Sequence, residues 1–460
     1  MRTKLYISVA AGLGGVIRAV ALLSCFALLA AEAKADAVTC TISPERAVLQ
    51  SGQPESAVVK VSMKGGKASG EKERPAVNLS IVLDRSGSMS GDKIIKAREA
   101  AIEAVSKLGD RDIVSIVIFD DEIETIVSAQ SAKYRSDIIS KIRRVEARGN
   151  TAIFGGVSQG ANEIRKNLDK GMINRIILLS DGIANVGPSS PHELGRLGVS
   201  LMKEGVSVST VGLGLGYNED LMTSLAGKSD GNSYFVENSE DLPRIFSSEL
   251  GEVLSVVAKK VRLAVSFSNG AHPVELIGRD GRIDGGMVYV DLNQIYSNQE
   301  KFLLIKTEFS VGEDGERRDF VTAEVTYETP DDGSKHVATA KGNVRFSSDM
   351  LIVKESVDKE VMSDSLRNIT AVESERAVRL IDEGKHEEAQ QVITWNIKRA
   401  EEAAKAYDIP DARVVADEQR ELSREAGDSR KKAAPLPKRS RKVFMQRSYE
   451  IMNQQSPTDN

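Results

Sequence analysis

Short apolar runs alternate with longer amphipathic segments between about residues 76 and 254. The runs are rich in Val, Ile and Leu and cover residues 77–83, 112–119, 175–180 and 206–212. Strands with such a composition are buried on both faces, as a parallel sheet covered by helices requires. Between them, residues 93–108 repeat apolar side chains with the period of a helix. The pattern predicts an α/β domain with a doubly wound, mainly parallel sheet.

A different pattern follows, in which apolar and polar residues alternate with a period of two over residues 260–347. Asp-Gly pairs at 280, 284, 314 and 332 separate the alternating stretches and are typical of turns. This pattern predicts a β-sandwich. Residues 37–64 also alternate but are too few to close a core, so we expect them to add strands to the same sandwich. The α/β domain would then be inserted into the β domain.

The last part of the chain changes to helical periodicity. Residues 378–382 and 387–407, with Gly384 between them, predict a helical hairpin. From residue 429 the chain is basic and poor in apolar residues, which predicts a flexible tail. The alternative is that Val443, Phe444 and Tyr449 dock this tail on the rest of the chain.

The predicted organisation divides the chain into six parts. They are an export signal (1–35), N-terminal strands of the sandwich (36–75), the α/β domain (76–254), the rest of the sandwich (255–347), the helical region (348–428) and the basic tail (429–460).

The first residues have the features of an export signal. Arg2 and Lys4 give a positive start, residues 19–31 are mostly apolar, and Ala33-Lys34-Ala35 offers small residues at a cleavage site, so we expect cleavage before Asp36. An uncleaved membrane anchor is the alternative, but Arg18 leaves too short an apolar stretch to span a bilayer. The mature chain is therefore expected to be exported without a stable membrane span.

Composition narrows the expected partners. The chain has 62 basic and 67 acidic side chains, so its net charge favours neither nucleic acid nor an anionic membrane. Its two cysteines are Cys25, within the signal and an alternative site of lipidation, and Cys40, which has no partner for a disulfide once the signal is removed. The four histidines are too scattered to have zinc-ligand spacing.

The clearest chemical signal is Asp84-Arg85-Ser86-Gly87-Ser88, directly after an apolar strand and before a helix. In open α/β sheets, ligands bind beyond the carboxyl ends of the strands. Thr151, and Asp181 at the end of another buried strand, are expected at the same edge. Carboxylate and hydroxyl oxygens suit Mg²⁺, and also Mn²⁺ or Ca²⁺. The alternative is simple helix capping, which would explain the serines and Asp84 but neither remote residue.

Two other patterns favour ordinary structure over a site. The acidic cluster of residues 120–124 is interpreted as a solvated loop or hairpin, with a second calcium site as the alternative. The Gly-rich residues 212–216 lack nucleotide-loop spacing, so we interpret them as a strand end followed by a loop.

The five oxygen-bearing residues, in this order, resemble the metal-ion-dependent adhesion site of the von Willebrand factor type A family. That site combines a DxSxS loop with a distant Thr and a distant Asp. The resemblance implies that Ser86, Ser88 and Thr151 coordinate a cation through hydroxyls, and that Asp84 and Asp181 bind it directly or through water. It also implies that ligand capture shifts the last helix of the domain, here around residues 242–257.

We therefore expect a non-enzymatic binding protein in which the cation captures an Asp or Glu carboxylate of a protein partner. The expected role is adhesion or assembly of a cell-envelope complex, in the periplasm, at the cell surface or after secretion. One alternative is a metal-assisted hydrolase, which needs a general base near the ion. The other is an envelope scaffold that acts mainly through its C-terminal region.

Overall fold

The computed structural model describes residues 37–67, 74–168, 171–409 and 411–456. The predicted export signal, its cleavage site and Cys25 lie outside these residues. Three strands open the described chain: β1 (Val38–Pro44), β2 (Val48–Gln50) and β3 (Glu55–Gly65).

An α/β domain follows β3, built on a six-stranded sheet. Its strands are β4 (Val77–Asp84), β5 (Ile113–Phe119), β6 (Ile123–Ser131), β7 (Ile173–Ser180), β8 (Val206–Leu213) and β9 (Ser233–Val236). They lie in the order β6-β5-β4-β7-β8-β9. The edge strand β6 is antiparallel to β5, and the other neighbours are parallel. Every residue of β4, β7 and β8 is buried, which explains why these strands are rich in Val, Ile and Leu.

Six helices cover the two faces of this sheet. They are α1 (Asp92–Lys107), α2 (Arg135–Ile142), α3 (Ile153–Arg165), α4 (Pro191–Lys203), α5 (Glu219–Lys228) and α6 (Leu242–Val253). Ala97 of α1 and Phe246 of α6 belong to one apolar core. Val157 of α3, Leu201 of α4 and Leu225 of α5 belong to a second core. The predicted doubly wound α/β fold is confirmed.

The β-sandwich is completed after the α/β domain. Its later strands are β10 (Val256–Phe267), β11 (Ala271–Ile277), β12 (Arg282–Asp284), β13 (Met287–Tyr296), β14 (Glu300–Phe309), β15 (Arg317–Glu328) and β16 (Lys335–Ser347). The two sheets have the orders β1-β3-β14-β11 and β12-β13-β10-β15-β16-β2. One apolar core joins them, with Val61 and Ile305 from one sheet and Val265 and Val325 from the other. The α/β domain is thus inserted between β3 and β10.

The C-terminal region is more helical than the predicted hairpin. Its helices are α7 (Met350–Glu355), α8 (Lys359–Asp382), α9 (His386–Tyr407), α10 (Ala412–Lys432) and α11 (Lys438–Asn453). The hairpin corresponds to α8 and α9, which join near Gly384, where φ is +77° and glycine is favoured. No helix of the described ranges is long and apolar enough to cross a membrane.

The prediction of a flexible tail is wrong for residues 429–453. Phe444 and Met445 of α11 are buried in one apolar cluster with Val378 of α8 and Ile393 of α9. Average composition hides this face, because the apolar residues of α11 are few but lie on one side of the helix. The structure instead shows the alternative arrangement, in which the tail is docked on the rest of the chain and Phe444 and Tyr449 are buried.

Candidate metal site at the carboxyl edge of the sheet

The site begins where β4 ends, at Asp84. The neighbouring parallel strand β7 ends at Ser180, so the two strand ends lie side by side. Ser180 Oγ donates a hydrogen bond of 2.5 Å to Asp84 Oδ2, and the Ser86 amide donates one of 2.7 Å to Asp84 Oδ1. Both carboxylate oxygens are therefore held in place, and the carboxylate fixes the start of the loop that follows it.

The two serines of the loop reach the residue that follows β7. Ser86 Oγ and Ser88 Oγ are 3.1 Å apart, and Ser88 Oγ donates to Asp181 Oδ1 at 2.6 Å. Three hydroxyl and carboxylate groups from two distant parts of the chain thus form one continuous cluster.

Thr151 joins the cluster beside Gly182. A Cβ added to Gly182 would lie 2.9 Å from Thr151 Oγ1 and 3.6 Å from Ser88 Oγ, so both hydroxyls border the space that the glycine leaves open. The backbone is fixed nearby, because the Thr151 amide donates to Asn185 Oδ1 at 2.9 Å. The structure therefore brings together all five residues singled out by sequence.

The loops that carry the site are also bonded to each other. The Gly87 amide donates to Gly149 O at 3.0 Å, and the Arg148 amide donates to Arg85 O at 2.6 Å. The buried Arg85 forms an ion pair of 2.9 Å with Asp120, which also receives Arg148 at 2.8 Å. Within the predicted acidic cluster, Asp120 is thus a structural anchor between two arginines.

Burial differs across the site and affects its electrostatics. Ser88 is exposed, whereas the other four residues of the site are buried: Asp84, Ser86, Thr151 and Asp181. Burial raises the pKa of the Asp84 carboxyl to about 6, although the hydrogen bonds from Ser180 and Ser86 oppose that shift. A cation that neutralises Asp84 would offset the cost of burying this charge.

Lys93 is a neighbour of the site that the sequence reasoning missed. Its Nζ contacts Asp181 Oδ2 and lies 3.4 Å from the Ser88 carbonyl oxygen. Gly182 and Asn185 were also missed. Lys93 lies in the first turn of the helix after the DxSxS loop and Gly182 directly follows Asp181, so proximity in sequence was the available signal for both.

The donor set fits a hard divalent cation. Within the ranges that the structure covers, no three His, Cys, Asp or Glu side chains cluster as a metal site. A cation here would therefore depend on hydroxyl oxygens in addition to the two carboxylates. Such all-oxygen sets suit Mg²⁺, Mn²⁺ or Ca²⁺ and do not suit metals that prefer thiolate or imidazole.

Comparison with known proteins agrees with this architecture. Residues 78–248 match the model of the von Willebrand factor type A domain. The chain therefore contains a von Willebrand factor type A domain, a class of domain that generally mediates protein–protein interaction.

Similar sequences come from bacteria and animals. The chain is 29% identical to uncharacterized protein YfbK of Escherichia coli K12 over 43% of this chain and 35% of that protein. It is 26% identical to uncharacterized protein sll0103 of Synechocystis over 56% and 63%, respectively. It is 27% identical to human inter-alpha-trypsin inhibitor heavy chain H4 over 43% and 22%. The chain thus spans less than two thirds of each of these proteins.

Solved structures show a similar fold over most of the chain. A von Willebrand factor type A protein from Catenulispora acidiphila aligns with a TM-score of 0.68 at 15% identity, covering 89% of this chain and 96% of that one. The ArnB paralog VWA2 from Sulfolobus acidocaldarius aligns with a TM-score of 0.57 at 20% identity, covering 91% and 98%. Because these alignments extend well beyond the α/β domain, they support the architecture of the chain as a whole.

Proposed function

We propose that this chain captures an acidic group of a protein partner through a divalent cation held in its von Willebrand factor type A domain. The observation that carries the proposal is the convergence of Asp84, Ser86, Ser88, Thr151 and Asp181 at one edge of the sheet. Helix capping does not account for this arrangement, since Ser86 Oγ bonds to Ser88 Oγ and Ser88 Oγ donates to Asp181.

The chemistry of the donors favours capture of an anion. Hydroxyl groups are neutral, so Ser86, Ser88 and Thr151 would bind the cation without cancelling its charge. The two carboxylates can balance the charge of the cation but do not fill its coordination shell, so a position remains for a further carboxylate. Mg²⁺ usually keeps several waters in proteins, and a carboxylate oxygen of the partner can replace one of them.

A binding role accounts for the site better than hydrolysis does. A metal-assisted hydrolase needs a positioned base to take a proton from water. Both oxygens of Asp84 accept hydrogen bonds, and both oxygens of Asp181 have partners in Ser88 and Lys93. Neither carboxylate is therefore placed to act as that base.

We further propose that the chain acts after export, in the periplasm, at the cell surface or as a secreted protein.

Calorimetric titration of the chain from residue 36 onward with MgCl₂ and MnCl₂ tests the cation site. We expect one ion to bind, and Asp84→Ala and Asp181→Ala to weaken binding at least about tenfold, since each removes a charged oxygen donor. Asp291→Ala is the matched control, because Asp291 is exposed on the sandwich and pairs with Arg262. Titrations that are the same for all four proteins would reject the proposal.

A further inference from the structure

Lys93 occupies an unusual position for a basic residue at a cation site. It lies in the first turn of α1, and its side chain is 39% exposed. Its ammonium contacts Oδ2 of Asp181, whose side chain is fully buried. The other oxygen of the same carboxylate accepts the Ser88 hydroxyl at 2.6 Å. Asp181 is therefore shared between the oxygen cluster on one side and an ammonium group on the other.

The neighbouring basic residues are directed elsewhere. Arg85, inside the DxSxS loop, forms ion pairs with Asp120 at 2.9 Å and with Glu124 at 3.3 Å. Lys96, almost one turn further along α1, pairs with Glu99 on the helix surface at 2.9 Å. Lys93 thus brings to the site a positive charge that these neighbours do not bring.

We propose that Lys93 sets the charge of the site, so that the site binds its cation less tightly but attracts an acidic partner more strongly. This inference rests on the proposed cation site. Asp84 and Asp181 together carry two negative charges, which a divalent cation balances. Lys93 then leaves the loaded site with a net positive charge, which a partner carboxylate can neutralise.

The two effects have opposite signs and the same physical origin. An ammonium group bound to Asp181 repels a cation on the other side of that carboxylate, and it attracts an incoming anion. Its contact with Oδ2 also reserves that oxygen, so Asp181 faces the hydroxyl cluster through Oδ1. Lys93 is in this sense a positioning residue, which acts on the cation through Asp181.

Lys93→Met tests the proposal because it keeps the length of the side chain and removes the charge. The first probe is Mn²⁺ alone, measured by calorimetry. The second probe is acetate added to the Mn²⁺-saturated protein, followed through the water-proton relaxation enhancement that the ion produces. We expect Mn²⁺ to bind about tenfold more tightly and acetate about threefold more weakly than in the wild type, as expected for loss of one charge near a partly solvated site.

Two further variants make the result specific. Lys96→Met removes a lysine from the same helix and should match the wild type in both measurements. Lys93→Arg keeps the charge and should restore both affinities toward wild-type values. A loosened helix would weaken Mn²⁺ and acetate binding together, so opposite changes identify the charge effect.

The outcomes separate this inference from the proposed function. If wild-type protein binds Mn²⁺ and Lys93→Met binds both probes with unchanged affinity, the role of Lys93 is refuted and the cation site stands. The same conclusion holds if both affinities fall together. If wild-type protein binds no Mn²⁺, the cation site and the role of Lys93 are both refuted.

Discussion

At the scale of single residues, burial changes the pKa of charged side chains, and Lys301 is a clear example. It is only 6% exposed, and its Nζ donates a hydrogen bond of 2.5 Å to Asn453 O. Burial lowers the pKa of the Lys301 ammonium from 10.5 to about 8, and nearby Arg279 acts in the same direction. The unfolded chain therefore holds this proton more tightly than the folded chain does.

This difference predicts a specific dependence of stability on pH. Between about pH 8 and 10.5 the unfolded state binds more protons at this site, so the contribution of Lys301 to the free energy of unfolding rises with pH. Conversely, this stabilising contribution of Lys301 is lost as the pH falls through its folded-state pKa of about 8. Urea unfolding of the wild type and Lys301→Met at several pH values should show the wild type gaining relative to the variant across that range.

Lys335→Met, at an exposed position on β16, controls for the change in net charge. A stability difference between wild type and Lys301→Met that stays constant from pH 7.5 to 10 would contradict the lowered pKa.

At the same scale, the candidate site was only partly predictable. Asp84, Ser86 and Ser88 could be found because they are adjacent in sequence and follow an apolar strand. Thr151 and Asp181 required knowledge of which motif they complete. The position of Lys93 just after the loop placed it near the site, but its contact with Asp181 could not be predicted, because no sequence feature shows which carboxylate a lysine contacts.

At the scale of elements, α11 is held against the α/β domain by buried charges. Lys442 is 2% exposed, donates to Tyr217 O at 2.7 Å and lies 3.8 Å from the centre of the Tyr217 ring. It also contacts Glu219, and Arg441 beside it pairs with Asp220 at 2.7 Å and Asp382 at 2.9 Å. These contacts join α11 to α5 and α8.

Lys442→Met should therefore destabilise the protein by about 3 kcal/mol, since removing one partner of a buried ion pair leaves the other poorly compensated. Urea unfolding measures the change. The exposed Lys438→Met at the start of α11 is the matched control and should change stability by less than about 0.5 kcal/mol. Equal stability of the two variants would show that the charges of α11 do not hold the helix in place.

Among the elements, strands and helices with a strong apolar period were the ones predicted from sequence. The sheet strands β4, β7 and β8 were predictable because strands that are buried on both faces are rich in Val, Ile and Leu, and this composition is visible in the sequence. The positions of α10 and α11 were not, because their polar residues dominate the composition and the acids that pair with α11 come from α5 and α8. Charge pairing between distant segments is invisible to a local pattern.

At the scale of the whole molecule, Arg175 connects the α/β domain to the sandwich. Arg175 is fully buried on β7, and its guanidinium lies 3.5 Å from Glu249 of α6. It also donates to Gln294 of β13 at 3.0 Å and to Tyr296 of the same strand. Strand β7 leads to Asp181. Arg175 therefore lies on a strand that ends at the site, and it contacts both α6, the last helix of the α/β domain, and β13 of the sandwich.

We predict that this arrangement transmits ligand capture. Hydrogen exchange in the presence of Mn²⁺ and acetate should change in α6 and β13 and remain the same in β11, which lies in the other sheet of the sandwich. The physical reason is that any shift of α6 must rearrange the contacts of Glu249 with Arg175. Contact alone does not establish coupling, so unchanged exchange in α6 and β13 would exclude transmission by this route.

The molecular architecture was predictable in outline. The sandwich and its inserted α/β domain follow from where the period of the apolar residues changes, at about residues 76 and 260. The contacts between the two domains were not predictable. Arg175 and Glu249 come from the α/β domain and Gln294 comes from the sandwich, and a local sequence pattern does not show that such polar residues are buried together.

The central claim is that oxygens from three distant segments hold one cation. Diffraction from crystals soaked in MnCl₂, with anomalous data collected near the manganese absorption edge, tests it most directly. We predict one anomalous peak within coordination distance of the Ser86, Ser88 and Thr151 hydroxyls, and its loss in crystals of Asp181→Ala. A peak at another location, or no peak in well-soaked crystals, would contradict the account.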